Sequence, residues 1–220
     1  LSDGHKYALR DIAKGENVIK YGNPIGHATA DIKAGEHVHT HNVKTNLSDN
    51  LTYTYEPGDL TFPVSDGGKT FTGYVRANGD VGIRNEIWII NTVGCVNKIA
   101  EKLAALTGAF AFPHPFGCSQ LGEDQELTQK VLRGLVNHPN AAGVLVLGLG
   151  CENNNIPLFK EVLGEYDSQR VKFLICQEAE DEIAEGVKLI EELQAYAAQF
   201  KPVQLPASRL RVGLKCGGSD

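Results

Sequence analysis

The segment "GVLVLGLG", Gly143 to Gly150, constrains the fold more than any other stretch. Its residues are apolar on both alternating faces, so a strand built from it must be covered on both sides. Strands of that kind belong to parallel sheets that carry helices on each face. The flanking sequence supplies both partners. "EIWIINTV" (Glu86 to Val93), "AFAF" (ending at Phe112) and "VKFLIC" (ending at Cys176) read as further strands. "NKIAEKLAAL", "LTQKVLRGLV" and "IPLFKEVLG" read as helices between them. A long amphipathic helix follows over residues 178–200, with Ile183, Val187, Ile190 and Leu193 on one face. A last strand is expected at "RLRVGLK", Arg209 to Lys215. The alternation predicts a doubly wound, mainly parallel α/β domain over residues 73–220.

The first part of the chain obeys a different rule. "ALRDIAKGENV" (Ala8 to Val18) returns as "ATADIKAGEHV" (Ala28 to Val38), twenty residues on. Each copy reads as strand, turn and strand, and two copies suit a small pseudo-symmetric β domain over residues 1–47. Residues 48–72 are polar, with Pro57-Gly58 and Gly67-Gly68, and read as a linker. "GYVRANGDVGIRN" (Gly73 to Asn85) reads as a hairpin turning at Asn78-Gly79.

Charge and composition exclude several functions. The net charge of -6, without a Lys/Arg run, gives no nucleic-acid footprint. No apolar run reaches the roughly 18 residues of a membrane span. Five cysteines in an acidic chain without an apolar leader point to reduced, cytoplasmic thiols rather than a disulfide framework. The chain has no methionine and stops at "CGGSD" after an apolar run, so it is expected to be a piece of a longer protein. The junction "LAALTGAFAF" passes from helix to strand in about three residues, tight enough to suggest residues missing there.

The cysteines fall in a pattern. Cys95, Cys118, Cys151 and Cys216 each follow an expected strand, and Cys176 ends one. The carboxyl ends of parallel strands lie along one edge of the sheet, where ligands bind. Cys176 continues an apolar run and reads as packing. His114 stands between two prolines in "FPHPFGCSQLGED", four residues before Cys118. In the first domain His27 precedes "EHVHTHN", where strand alternation puts His37, His39 and His41 on one face. Three such imidazoles suit a metal, or form a solvated polar face. No GxGxxG, GxxxxGK[ST] or GxSxG motif competes.

In these strings the chain resembles the altronate/galactarate dehydratase family, on its altronate side. "GHKYALRDIAKGENVIKYGNPIGHATADIKAGEHVHTHN" is similar to the family's N-terminal SAF domain, a β-clip fold. "GYVRANGDVGIRNEIWIINTVGCV", "HPFGCSQLGED", "LGLGCENN" and "CGGSD" resemble the start of its catalytic region. The resemblance implies dehydration of a sugar acid, such as D-altronate, to a 2-keto-3-deoxy acid. Ferrous iron is the implied cofactor, with an iron–sulfur cluster or manganese as alternatives. On that basis His114 and His5 are expected as catalytic residues. Lys6, Arg84, Gly217 and Ser219 are expected to bind substrate. Cys95, Cys118, Cys151, Cys216 and His39 are expected as metal ligands. The implied partner is a small sugar acid, with neither nucleic acid nor membrane, and a homo-oligomer stays open. Galactarate dehydration, sulfolactate cleavage and a non-catalytic metal or sugar-acid binding module stand as alternatives.

Overall fold

The structure, a computed structural model, describes residues 4–47 and 67–215. The described chain divides into two compact units, residues 4–47 with 213–215, and residues 67–212.

The first unit is built from short antiparallel pairings. Strand β1 (Lys6–Tyr7) pairs with β4 (His37–Val38), and β3 (Asn23–Ala28) lies between β2 (Asn17–Lys20) and β5 (Val43–Lys44). The twenty-residue repeat governs its interior. The buried apolar set is Ala8, Ile12 and Val18 with their repeat mates Ala28, Ile32 and Val38. Hydrogen bonds repeat in the same way. Ala8 N donates to Glu36 O as Ala28 N donates to Glu16 O, and Ile12 and Ile32 exchange backbone bonds across the pseudo-twofold axis. Lys14 N donates to Asp31 Oδ1 and Ala34 N to Asp11 Oδ1, so each copy closes the other's turn. Two copies suffice because each supplies half of one small core.

The second unit opens with a hairpin of β6 (Thr70–Val75) and β7 (Val81–Gly82), closed by Gly79 N donating to Arg76 O. Gly79 has φ +84, which accounts for the Asn-Gly turn. The expected linker ends earlier than residue 72, because β6 begins at Thr70; residues 48–66 lie outside the described residues.

A parallel sheet follows. Its strands are β8 (Glu86–Asn91), β9 (Phe110–Phe112), β10 (Ala141–Gly148) and β11 (Val171–Ile175), in the order β11-β10-β8-β9. All three adjacent pairs are parallel. Helices α1 (Asn97–Thr107) and α4 (Glu182–Ala197) cover one face, packing Leu103, Ile190 and Leu193 on Ile87, Ile89, Leu145 and Leu147. Helices α2 (Gly122–Val136) and α3 (Ile156–Leu163) cover the other, packing Leu132, Val136 and Phe159 on Trp88, Ile90, Val144 and Val146. Alternate residues of β8 and β10 therefore serve opposite cores, which is why both strands read as continuous apolar runs.

Local chemistry sets the helix ends. Asn155 caps α3 through Leu158 N, and Asp181 caps α4 through Ile183 N and Ala184 N. Helix α2 starts at Gly122, earlier than its apolar period suggested, with Glu123 and Asp124 complementing the positive end of its dipole. The short α1–β9 junction needs no added residues to close: Gly108, at φ +75, ends the helix and Phe110 begins the strand.

The last strand differs from expectation. Residues 209–215 form no strand; β12 is Val203–Pro206, antiparallel to β6. "RLRVGLK" alternates like a strand, but Val212 and Leu214 are exposed and have no sheet to join. Among the described residues no helix is long and apolar enough to cross a membrane.

Candidate functional site

The strand order places the topological switch between β8 and β10. From β8 the chain moves outward to β9, then returns through α2 to the far side of β8. At such a point the loops leaving adjacent strands diverge to opposite faces and open a crevice at their carboxyl ends. The loop after β8 carries Cys95 in a short 3-10 turn, Gly94–Val96. The loop after β10 carries Cys151, and the loop after β9 carries His114 and Cys118. Cys95, Cys118 and Cys151 are exposed free thiols. Cys176 is buried in the α1/α4 core, and burial pushes its thiol up to about 11, so it is packing and not a thiolate.

The three loops are locked together by polar residues that the sequence did not single out. Asn91, Thr92 and Asn154 are fully buried, and Glu152 is 3% exposed. The Glu152 carboxylate accepts from Thr92 Oγ1 (2.7 Å), Leu149 N (3.0 Å) and Gly150 N (2.6 Å). Asn154 donates to Thr92 O (3.2 Å) and accepts from Gln129 Nε2 (2.9 Å). Gly94 N donates to Phe116 O. Gly117, at φ +98, lies so close that a Cβ there would sit 2.0 Å from Thr92 O. Gly94 is also confined, with His114 O 2.6 Å from where its Cβ would be. The glycines let two strand-end loops pack backbone to backbone.

His114 has a defined state. Its Nδ1 accepts from Phe116 N (3.2 Å), so Nε2 carries the proton and donates to Asn91 O (2.8 Å). Asn97 completes the clamp, donating to His114 O (3.0 Å) and accepting from Asn91 Nδ2 (2.8 Å). Asn91 Oδ1 is buried without a partner in this network. As placed, the imidazole braces the proline-flanked loop through both nitrogens.

Other expected residues fall elsewhere. Arg84 precedes β8, pairs with Glu86 (3.3 Å) and lies at the amino end of the sheet, the length of β8 from Cys95. Cys216, Gly217 and Ser219 lie outside the described residues. His5, Lys6 and His39 belong to the first unit, where Lys6 is in β1. There the rings of His5, His37, His39 and His41 cluster, while His27 bonds Asn46 instead (2.7 Å). The same-face expectation for 37, 39 and 41 holds by a different geometry: β4 ends at Val38 and a turn brings His41 back. Among the described residues no three His, Cys, Asp or Glu side chains converge, as they stand, on a position for a metal ion. The buried polar node has little sequence signature, because Asn, Thr and Glu after a strand look like ordinary turn residues. The polar "NT" ending an otherwise apolar run was the available signal.

Comparison with known proteins agrees with this architecture. Residues 73–198 match the family described as D-galactarate dehydratase/altronate hydrolase, second domain. Residues 1–46 match the altronate/galactarate dehydratase SAF domain. The whole chain is 49% identical to an altronate dehydratase of Bacillus subtilis and 50% identical to one of Escherichia coli, covering 46% and 47% of them. It is 33% identical, over 70% of its length, to the beta subunit of a (2R)-sulfolactate sulfo-lyase of Chromohalobacter salexigens, covering 39% of it. The chain thus spans about half the length of the altronate dehydratases it matches. Together, the SAF-type first unit, the doubly wound second unit and these matches place the chain in the D-galactarate dehydratase/altronate hydrolase family.

Proposed function

We propose that the full-length protein is a hydro-lyase that converts altronate to a 2-keto-3-deoxy acid and water. The observation that carries this is the identity of about one residue in two with altronate dehydratases along the entire chain, against one in three over 70% of it for the sulfo-lyase subunit. The reaction removes the proton on the carbon beside the carboxylate and leaves an enediolate. The 3-hydroxyl then departs as water after accepting a proton, and the enol product ketonises.

The second unit's part is to hold the strand-end loops rigid. An error of about 1 Å in a reacting group costs on the order of 100-fold in rate, and the Glu152–Thr92–Asn154 node limits such errors. His114 acts as an acid or base only if its ring releases Phe116 N or Asn91 O; with both bonds in place it positions the Cys118 loop. A ferrous ion would supply Lewis acidity toward the enediolate. Cys95, Cys118 and Cys151 do not close around one ion among the described residues.

The test is turnover of the full-length enzyme, purified anaerobically and supplied with ferrous iron, on altronate, galactarate and sulfolactate. Formation of the 2-keto-3-deoxy acid fastest from altronate supports the proposal. Preference for galactarate, release of sulfite from sulfolactate, or no turnover of any sugar acid would overturn it.

A further inference from the structure

The second unit has a cavity of about 200 Å³ at the amino end of its parallel sheet, the end opposite the cysteine loops. Arg76 reaches it from the hairpin, Arg170 and Tyr166 from the loop between α3 and β11, and Tyr196 from the last turn of α4. Arg76 is 5% exposed and Arg170 is half-buried. Among the described residues no carboxylate lies within ion-pair distance of either guanidinium. A buried charge is ordinarily paired. Two cations lining one cavity, neither of them paired, point to a partner of opposite charge.

The local bonding fixes both side chains without neutralising them. Each guanidinium carries five N–H donors. Arg76 spends three: Nε on Pro139 O, Nη1 on Asn85 Oδ1 and Nη2 on Arg84 O, each at 2.7 Å. Its central carbon lies 5.0 Å from the Phe200 ring centre and 5.7 Å from that of Tyr74. Arg170 Nη2 donates to His138 O (3.2 Å) and Ala141 O (2.9 Å). Both residues thus grip one turn, residues 138–141, which keeps them neighbours. Carbonyl and amide oxygens and ring faces carry only partial charge. Burial, and then Arg170, push Arg76 down to about 10, and burial lowers Arg170 as well. An anion between the two would offset that repulsion.

We propose that this cavity binds a small oxyanion, a carboxylate or a phosphate group, between Arg76 and Arg170. The site does not rest on the sugar-acid reading, since the cysteine loops lie at the other end of the sheet. The unspent N–H groups of a planar guanidinium suit the paired oxygens of such a group. The volume is below the roughly 300–1,000 Å³ of pockets for drug-sized ligands, so the ligand is an ion or a small acid. Three carboxylates share the cavity, and two are already engaged. Asp80 pairs with Arg211 (3.3 Å), and Asp167 accepts from Tyr196 Oη (2.7 Å) and Gln169 N (2.8 Å). Glu165 is exposed, and its charge opposes the anion. A bound anion ties the hairpin to the α3–β11 loop, so it acts as an effector of the second unit's stability and not as its substrate.

The experiment titrates the full-length protein by calorimetry with inorganic phosphate and, separately, with malonate, at constant ionic strength held by chloride. Saturable binding of either anion is expected, and the tighter of the two tells a phosphate ligand from a carboxylate one. Arg170→Gln should weaken that binding by about 10-fold or more, the scale of losing charge-assisted hydrogen bonds. Glu165→Gln should tighten it by about 2-fold, because a like charge at an exposed position is removed. Glu165→Gln is the safeguard should Arg170→Gln unfold the unit, since Glu165 is exposed and holds nothing among the described residues. No saturable binding of either anion, unchanged affinity in folded Arg170→Gln, or unchanged or weaker affinity in Glu165→Gln would overturn the proposal.

Discussion

Replacing Glu152 with alanine tests whether the buried node holds the second unit together. The substitution removes an acceptor from Thr92 Oγ1, Leu149 N and Gly150 N. A hydrogen bond to a charged group is worth about 1.5–3 kcal/mol, and bonds sharing one acceptor do not add fully. Gly150 is exposed and its amide can turn to water, which leaves Thr92, fully buried, and half-buried Leu149 as the main losses. Against this stands the desolvation of the carboxylate that the variant no longer bears. The expected loss is about 3 kcal/mol, or roughly 6–12 °C in Tm for a unit of this size. Glu152→Gln should lose about half as much, because its amide nitrogen meets the donor Gly150 N. The single tryptophan, Trp88, sits in the α2/α3 core, so its fluorescence during urea unfolding reports this unit alone. Cys151, next to Glu152 and exposed, should alkylate faster in both variants. A loss below about 0.5 kcal/mol in Glu152→Ala, the scatter of ordinary surface changes, would mean that the node does not hold the unit together.

Further outcomes follow from single positions. Gly117→Ala should destabilise by about 3 kcal/mol or more in urea unfolding, since φ +98 and a Cβ 2.0 Å from Thr92 O force the loops apart. Gly134→Ala, inside α2 with open space, should instead stabilise by about 0.5–1 kcal/mol. Burial, and then Arg170, hold His138 below its ordinary 6.5, while Asn140 N donates to its Nδ1. The unfolded chain therefore binds the proton more readily, and stability, complete above about pH 6.5, falls as the pH drops below it. Urea midpoints measured from pH 7.5 to 5 should show this slope, and His138→Gln should flatten it. Loss from the lowered carboxyl of Asp167 belongs to a separate window below its ordinary 3.8.

The second unit was legible because its strands are buried on both faces. β8 and β10 offer Ile, Val and Leu to two cores at once, and no other arrangement accommodates such runs between amphipathic helices. The repeat was legible because symmetry is visible in letters, and Ala8/Ala28, Ile12/Ile32 and Val18/Val38 indeed form the core. β12 was not legible: Val203–Pro206 pairs with β6 across some 130 residues, and no local pattern encodes so distant a partner. Of the candidate site, the strand-end position of Cys95, Cys118 and Cys151 could be read from spacing. The engagement of both His114 nitrogens could not, because it depends on where Asn91 O and Phe116 N arrive in three dimensions. Arg84, whose expected substrate role comes from the family resemblance, is sent by strand direction to the amino end of β8, away from the cysteine loops.

If the proposed function holds with the sugar acid over the strand-end loops of the second unit, altronate must shield the thiols there from alkylation. The full-length enzyme is treated briefly with a small alkylating agent, with and without saturating altronate, and each cysteine is quantified by mass spectrometry. Cys118 and Cys151 should be modified several-fold more slowly with altronate present, and galactarate should protect less; buried Cys176 should stay unmodified throughout. Equal alkylation of Cys95, Cys118 and Cys151 with and without altronate, in enzyme shown to turn it over, would contradict that placement.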